Sequence, residues 1–573
     1  MTEVKLNKLL EWGKVNGVEL PNVEFQYTSD KGIVAVASSL LVDAKFSLPK
    51  SLIISNSLAR KHFNKDVDLN SWLKLLLCKL KYHDEVVVVD GEELRSKFGF
   101  YLNCLPDEVN SPLQWNVSEL ELLNGTNLGS ATEEKFYDIV DEWRRIHVEL
   151  GMFEDEIRCN EEVRRAYLER SAQEAVPWYS FRAFLWAHLI LTSRAFPEKL
   201  LDPTCDDSNV VLLPILDLLN HDYHSKIEWS GAGGNFQFKK LEPVEAGQEV
   251  LNNYGGKSNE ELLLSYGFVI EDNLFDCVAL KLRPPLPMVQ QMLEAGLNLP
   301  RLDDYTTYAF EAAKPLNKKQ LEDYNNGILF LVNKGNPQAL KDLLHVFAFQ
   351  EAKNNEDSMS LRCILQSMQT LQDLLKQRVE RIAANTITYE LPQVNPYRAK
   401  CAAIYRKNQI NILKHSIKVI KDWERPLQLE NKVNLVTFST IAKYDSQFLN
   451  DDLATYFQSD IEFESYDDIL MLWILIRSSE DISQAHKRLR WVLEDYINFI
   501  VSPTTLGPGE IDEKRQTTID KKYALWFPSG SKAISKAHLY KAIDFLDHSS
   551  YFRTSKEETV IVKGGCRSFF PSS

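Results

Sequence analysis

Two Tyr-Gly pairs stand twelve residues apart in this chain, Tyr254-Gly255 and Tyr266-Gly267, and upstream of them lie Asp217, Asn220-His221 and Ser193-Arg194. By residue type this set offers aromatic walls with phenol hydroxyls, one fixed cation, one carboxylate, and an amide-imidazole pair with both donors and acceptors. Aromatic walls tolerate a cation through their π faces. Arg is the side chain that meets a carboxylate in bidentate geometry. Taken singly, each residue has a plain structural reading: a lone Tyr is usually half-buried core, and an Asn-His dipeptide is usually a cap or turn. Together they suit binding of a polar organic ligand beside an aromatic channel.

Other signals weaken on inspection. Gly231-Ala-Gly-Gly234 looks like part of a phosphate loop, but Asn235-Phe-Gln-Phe238 after it reads as a strand, not the helix that a phosphate site requires, so it is a hairpin turn. His221 and His224 have metal-like spacing without a Cys or acidic cluster to complete a tetrahedral set, and no metal site is expected. Eight cysteines are scattered with no C-x-x-C pair, which fits core fillers in a reducing compartment.

The elements that must hold these residues alternate in kind. A short amphipathic helix, Leu6, Leu9, Leu10 and Trp12, is expected to stop at Gly13. Val23–Tyr27 and Lys31–Val36 read as a hairpin around Ser29-Asp30-Lys31-Gly32. Helical patterns fill about 75–200, and short strands return at Val210–Pro214, Ile227–Trp229, Asn235–Phe238 and Glu249–Leu251. The absence of β-α-β alternation argues against a doubly wound parallel sheet. Beyond residue 285 helices dominate, with 3.6-period stripes at Leu361, Ile364, Leu365, Met368, Leu371, Leu374, Leu375, Val379 and Ile382, and again from Ile404 to Ile420 before a break at Arg425-Pro426.

Read in order, Leu191-Thr-Ser-Arg-Ala-Phe196, Leu216-Asp-Leu-Leu-Asn-His221, Gly247-Gln-Glu-Val-Leu-Asn-Asn-Tyr-Gly-Gly256 and Glu261-Leu-Leu-Leu-Ser-Tyr-Gly-Phe268 resemble the SET-domain methyltransferases of the Rubisco-methyltransferase type. Pro112-Leu-Gln-Trp115, Leu122–Leu128, Tyr405-Arg406, Gln409 and Ile412-Leu413 extend the resemblance to about residue 425. It implies an α+β fold: a SET domain over 1–285 with a helical insert, an all-α substrate-binding domain over 286–425, and a helical extension over 426–573. It implies S-adenosylmethionine as cofactor, leaving as S-adenosylhomocysteine, with no metal.

Residue by residue, the resemblance makes Tyr266 and Tyr254 catalytic. It assigns cofactor contacts to Ser29, Lys31, Gly32, Ser193, Arg194, Asn220 and His221 as well as to the two tyrosines, while Asp217 either contacts the cofactor or braces its loop. Only Gly32 stands where relatives often carry two glycines, and Asn253 replaces the Ser, Thr or Tyr common before the Tyr-Gly. Methyl transfer to lysine needs a neutral amine, whose free pKa is about 10.4, so a desolvating channel beside the cationic sulfonium fits the reaction.

The opening Leu-Leu-Glu-Trp-Gly and the long C-terminal extension resemble the fungal ribosomal-protein lysine methyltransferases. The expected substrate is a basic ribosomal protein of the large subunit; a translation elongation factor, a protein histidine, or non-catalytic peptide binding are the alternatives. A net charge of −15 suits a basic protein partner and disfavours direct nucleic-acid binding. No apolar run approaches the ~18 to 20 residues of a membrane span, and the N-terminus lacks a secretory pattern. A monomer in the cytoplasm, with the nucleus as a second compartment, is expected.

Overall fold

The computed structural model describes residues 3–567 apart from 29–31, 153–158, 172–173, 207, 232–233, 302–319, 354–355, 385–393, 454–464, 502–512 and 528–533. The chain forms two compact units. The first is built mainly from Met1–Cys277 and Arg381–Ile410, the second from Val278–Tyr305, Asn317–Glu380 and Asn411–Ser573. The expected division near 425 falls inside one helix, Pro396–Glu430, which carries Pro426 without ending there. One lost N–H is a local cost, and Ile420 and Leu427, seven residues apart, stay buried on a common face of the helix.

In the first unit Val23–Thr28 pairs antiparallel with Gly32–Ala37, from Val23 opposite Ala37 to Thr28 opposite Gly32. Gly32 closes the hairpin at φ +74°, a backbone conformation that glycine adopts at little cost. A second sheet runs in the order Lys45–Pro49, Asn235–Lys240, Ile227–Ser230, all antiparallel, with Phe46 directly opposite Phe238 and their rings stacked at 5.6 Å. Between these strands the helices begin at Asn56–Phe63, earlier than the sequence pattern predicts, and continue through Leu69–Tyr82, Leu94–Cys104, Asn127–Glu149 and Phe181–Arg194. Their apolar faces and the inward faces of the strands make one core, including Trp72, Leu76, Tyr101, Phe184 and Trp186.

The N-terminal helix runs Glu3–Val15, through Gly13 rather than ending at it. Gly13 is buried, and Ile215 approaches so closely that a β-carbon at 13 would overlap its Cδ1. Ile215 has φ +75°, strained for a β-branched residue, and it leads directly into the short turn Leu216–Leu218.

The second unit has its own core around Leu470, Trp473, Val492, Leu539 and Phe545. Most of the predicted stripe holds along the Leu361–Ala384 helix, where Leu361, Ile364, Leu365, Met368, Leu371, Leu375 and Ile382 are buried, whereas Leu374 is exposed and Val379 only partly buried. The region read as wholly helical also contains strands. Ile328–Asn333 pairs with Cys277–Leu282, and its burial alternates as period 2 requires. The C-terminal part holds a three-stranded sheet with Glu558–Val562 between Leu435–Val436 and Ser550–Arg553. Short apolar runs such as Ile328-Leu-Phe-Leu-Val read equally as helix or strand until a partner is known. Among the described residues no helix is long and apolar enough to cross a membrane.

Candidate active site

Four loops of the first unit meet because backbone bonds stitch them together. Ala37 N–H donates to Gln248 O at 2.9 Å and Val250 N–H to Ala35 O at 2.7 Å, which lays the 248–250 segment on the N-terminal hairpin. Asn252 N–H donates to Asn220 O at 2.8 Å and Asp222 N–H to Asn252 O at 2.9 Å, which docks the Asn220-His221 turn beside it. They line a cavity of about 900 Å³, and Gly32, Ser193, Arg194, Asp217, Asn220, His221, Tyr254 and Tyr266 all face it. Ser29 and Lys31 lie outside the described residues.

Asn220 is oriented by its own amide: Nδ2 donates to Ile33 O and to Glu249 Oε1, both at 2.8 Å. His221 Nδ1 accepts from Tyr254 N–H at 3.0 Å, which places the ring proton on Nε2. Burial pushes the His221 imidazole down to about 4, with Asp222 opposing the shift and Lys257 adding to it, so the ring is neutral at physiological pH. The imidazole stacks on Tyr254 at 4.9 Å, and Tyr254 stacks on Tyr266 at 5.2 Å. The Tyr254 hydroxyl donates to Leu219 O at 2.8 Å, leaving its oxygen lone pairs as acceptors.

Tyr266 ends a single wide π turn, Leu262–Tyr266, and Gly267 follows at φ +78°. A β-carbon at 267 would lie 2.8 Å from the Asn110 nitrogen, so only glycine lets the two backbones approach this closely. Ser111 Oγ donates to Leu264 O at 2.5 Å and Trp115 Nε1 to Asn110 O at 2.9 Å. The Pro112–Trp115 motif therefore acts as a clamp on the turn that presents Tyr266. Tyr405 donates its hydroxyl to Glu260 Oε2 at 2.8 Å, and Gln409 Nε2 bonds Cys277 O at 2.9 Å, bracing the same turn and the segment that follows it.

Ser193 and Arg194 end the Phe181–Arg194 helix, whose start is capped by Ser180. The Ser193 hydroxyl donates back to Leu189 O at 2.6 Å, so only its oxygen lone pairs and its carbonyl are left for a ligand. Arg194 Nη1 donates to Asp217 O at 3.1 Å and Oδ2 at 3.3 Å, and Tyr101 donates its hydroxyl to the same Oδ2 at 2.7 Å. Burial raises the Asp217 carboxyl pKa, against the pull of Arg194 and Tyr101. Asp217 thus braces Arg194, while its Oδ1 is buried without a hydrogen-bond partner.

Sequence reasoning missed Tyr101, Glu249 and the 103–110 segment, all of which touch the cavity or its lining residues. Glu249 stood inside a quoted motif and could have been found as the acid facing an amide. Tyr101 carries no local signal. Among the described residues no group of three or more His, Cys, Asp or Glu side chains is placed to hold a metal ion.

Interleaved short sheets, a helical insert and a pocket walled by a Tyr-Tyr-His stack define a SET-type methyltransferase core. Solved structures of similar fold include the SET domain of LSMT bound to lysine and AdoHcy, at TM-score 0.53 and 17% identity over 80% of this chain and 99% of that one. Rubisco LSMT bound to AdoMet matches at TM-score 0.52 and 18% identity, over 74% and 93%. The EFM1 middle domain family matches residues 297–431. Ribosomal lysine N-methyltransferase 1 of Saccharomyces cerevisiae is 37% identical over 98% of this chain and 100% of its own. Protein-lysine N-methyltransferase EFM1 of the same yeast is 26% identical over 83% of each. The chain belongs to the SET-domain protein-lysine N-methyltransferases of the Rubisco-methyltransferase-like class, alongside the fungal ribosomal lysine methyltransferases.

Proposed function

We propose that this enzyme uses S-adenosylmethionine to methylate lysine on a large-subunit ribosomal protein, working as a cytoplasmic monomer. The observation that carries the reading is the joining of Arg194, Asn220, His221, Tyr254 and Tyr266 around one cavity, in a chain similar along its whole length to a ribosomal lysine N-methyltransferase. The donor set fits the cofactor. A cation beside a buried carboxylate oxygen without a partner suits a zwitterionic amino-acid end. The Asn220 turn and the neutral His221 offer donors and acceptors to a heterocycle edge.

S-adenosylmethionine supplies, when bound, an electrophilic methyl group on a cationic sulfur. Arg194 holds a fixed positive charge at one end of the cavity, and Asp217 keeps that guanidinium in place. His221 stays neutral and fixes Tyr254 through its backbone N–H. Tyr254 and Tyr266 wall the approach of the acceptor amine, aligning it for in-line attack and tolerating the methylammonium product through their rings.

The test is transfer of labelled methyl groups from S-adenosylmethionine into ribosomes from cells lacking the enzyme, comparing the native protein with Tyr266→Phe. Label on a lysine of one large-subunit protein, falling about 100-fold or more in the variant, is the expected result. Label confined to a soluble factor would transfer the substrate assignment away from the ribosome.

A further inference from the structure

The aromatic stack of the cavity has a cation at its flank. Lys257 Nζ lies 5.8 Å from the Tyr266 ring centroid and is near enough to His221 to add to the depression of its pKa. The side chain is only 16% exposed, its backbone carbonyl accepts from Asn273 Nδ2 at 2.7 Å, and its ammonium pairs with Glu261 four residues on, which is 47% exposed. A lysine anchored at its backbone, half-neutralised by a carboxylate and laid on a tyrosine face is placed, not free. The mechanism above gives it no task.

We infer that Lys257 is a positioning residue that, from the π face of Tyr266 and moderated by Glu261, biases an incoming acceptor lysine toward its neutral, nucleophilic form. This rests on the methyltransferase reading of the cavity. A second ammonium entering beside a partly desolvated cation is destabilised relative to the free amine, so the acceptor releases its proton to solvent more readily. The amine lone pair then forms the new C–N bond while the carbon–sulfur bond breaks with its electron pair going to sulfur. The product leaves as a charged methylammonium, so each transfer releases the one proton that the acceptor gave up.

Besides His221 and Tyr254 in the stack itself, the charged groups lining the cavity are Asp222, Glu249, Asp107, Glu108, Lys5 and the Asp217–Arg194 pair. His221, pushed down to about 4 chiefly by burial, is already neutral above pH 6. Tyr254 is pushed up to about 12 by burial and stays protonated below pH 10. The pH–rate limb between those values is therefore open to report the acceptor amine under the field of Lys257 and Glu261.

The experiment measures kcat at saturating substrate from pH 6.5 to 9.5, which reports ionisations of the bound complex, with total ribosomal protein from cells lacking the enzyme, for the native protein, Lys257→Met, Lys257→Arg and Glu261→Gln. Binding of S-adenosylhomocysteine is followed in parallel by calorimetry. The expected result is an alkaline shift of the limb by about one pH unit in Lys257→Met, a shift in the opposite sense in Glu261→Gln, and restoration in Lys257→Arg, with product affinity within about twofold throughout. Equal losses at every pH, shifts in the same direction, or a collapse of S-adenosylhomocysteine binding would overturn the inference and make Lys257 a structural brace. No transfer by the native protein at any pH, despite product binding, would instead remove the methyltransferase reading on which it rests.

Discussion

Asp217 in the first unit and Glu424 in the second are both buried carboxylates whose pKa is raised by desolvation, yet they are finished differently. Glu424 uses both oxygens: Oε1 accepts from Gln369 at 2.7 Å and Gln428 at 2.5 Å, and Oε2 from Gln372 at 2.9 Å. Asp217 gathers Tyr101 and Arg194 on Oδ2 and leaves Oδ1 buried without a partner beside the cavity. A closed network has no need of a ligand, whereas an open one stores an unmet hydrogen bond that a ligand can satisfy. The contrast separates a carboxylate that holds two helices together from one that prepares a site.

The comparison breaks most visibly at Asp217. Asp217→Asn leaves the Arg194 guanidinium beside an uncharged amide and removes half of the open network. The expected outcome is a drop of about 3 kcal/mol in the urea unfolding free energy of the first unit, with weakened S-adenosylhomocysteine binding by calorimetry. A variant that binds normally would mean that Oδ1 faces protein alone. Tyr101→Phe removes one donor to a charged acceptor and leaves the ring, so a smaller loss of about 2 kcal/mol is expected in the same denaturation measurement. A loss near zero would show that Arg194 alone fixes the carboxylate.

This ordering also shows what the sequence could and could not convey. The cavity was legible where chemistry and local motif coincide, as at Asn220-His221, Arg194 and the two Tyr-Gly pairs, all of which the fold brings to one space. Tyr101 was invisible because nothing near it in the chain marks which face of its helix turns inward, and its partner lies 116 residues away. The same blindness explains Gly13 and Pro426. Both residue types normally punctuate helices, and only tertiary contact reveals that one is needed for close approach to Ile215 and the other is carried by a well-packed helix. The strand Ile328–Asn333 was lost for a related reason, since its five-residue apolar run has no period of its own until Cys277–Leu282 lies beside it.

The smallest expected effect is at Glu424, and its sign is informative. Because the folded carboxyl titrates above the ordinary value of 4.5, the folded state holds a proton that the unfolded state has already released as pH rises past that value. The stability contributed by this group is therefore full below the unfolded pKa and is lost as pH rises through the folded one. Glu424→Gln keeps a polar side chain among the three glutamine amides, which can reorient, and has no proton to lose. Relative to the native chain it is expected to be slightly less stable near pH 4, and to gain on it by about 1 kcal/mol or less toward neutrality, with methyl transfer unchanged. Asp217, titrating in the same sense, is present in both proteins and cancels from the difference. A difference that stays flat between pH 4 and 7 in urea titrations would mean that the glutamine donors hold Glu424 ionised in spite of its burial, and the closed network would then be a site of fixed negative charge.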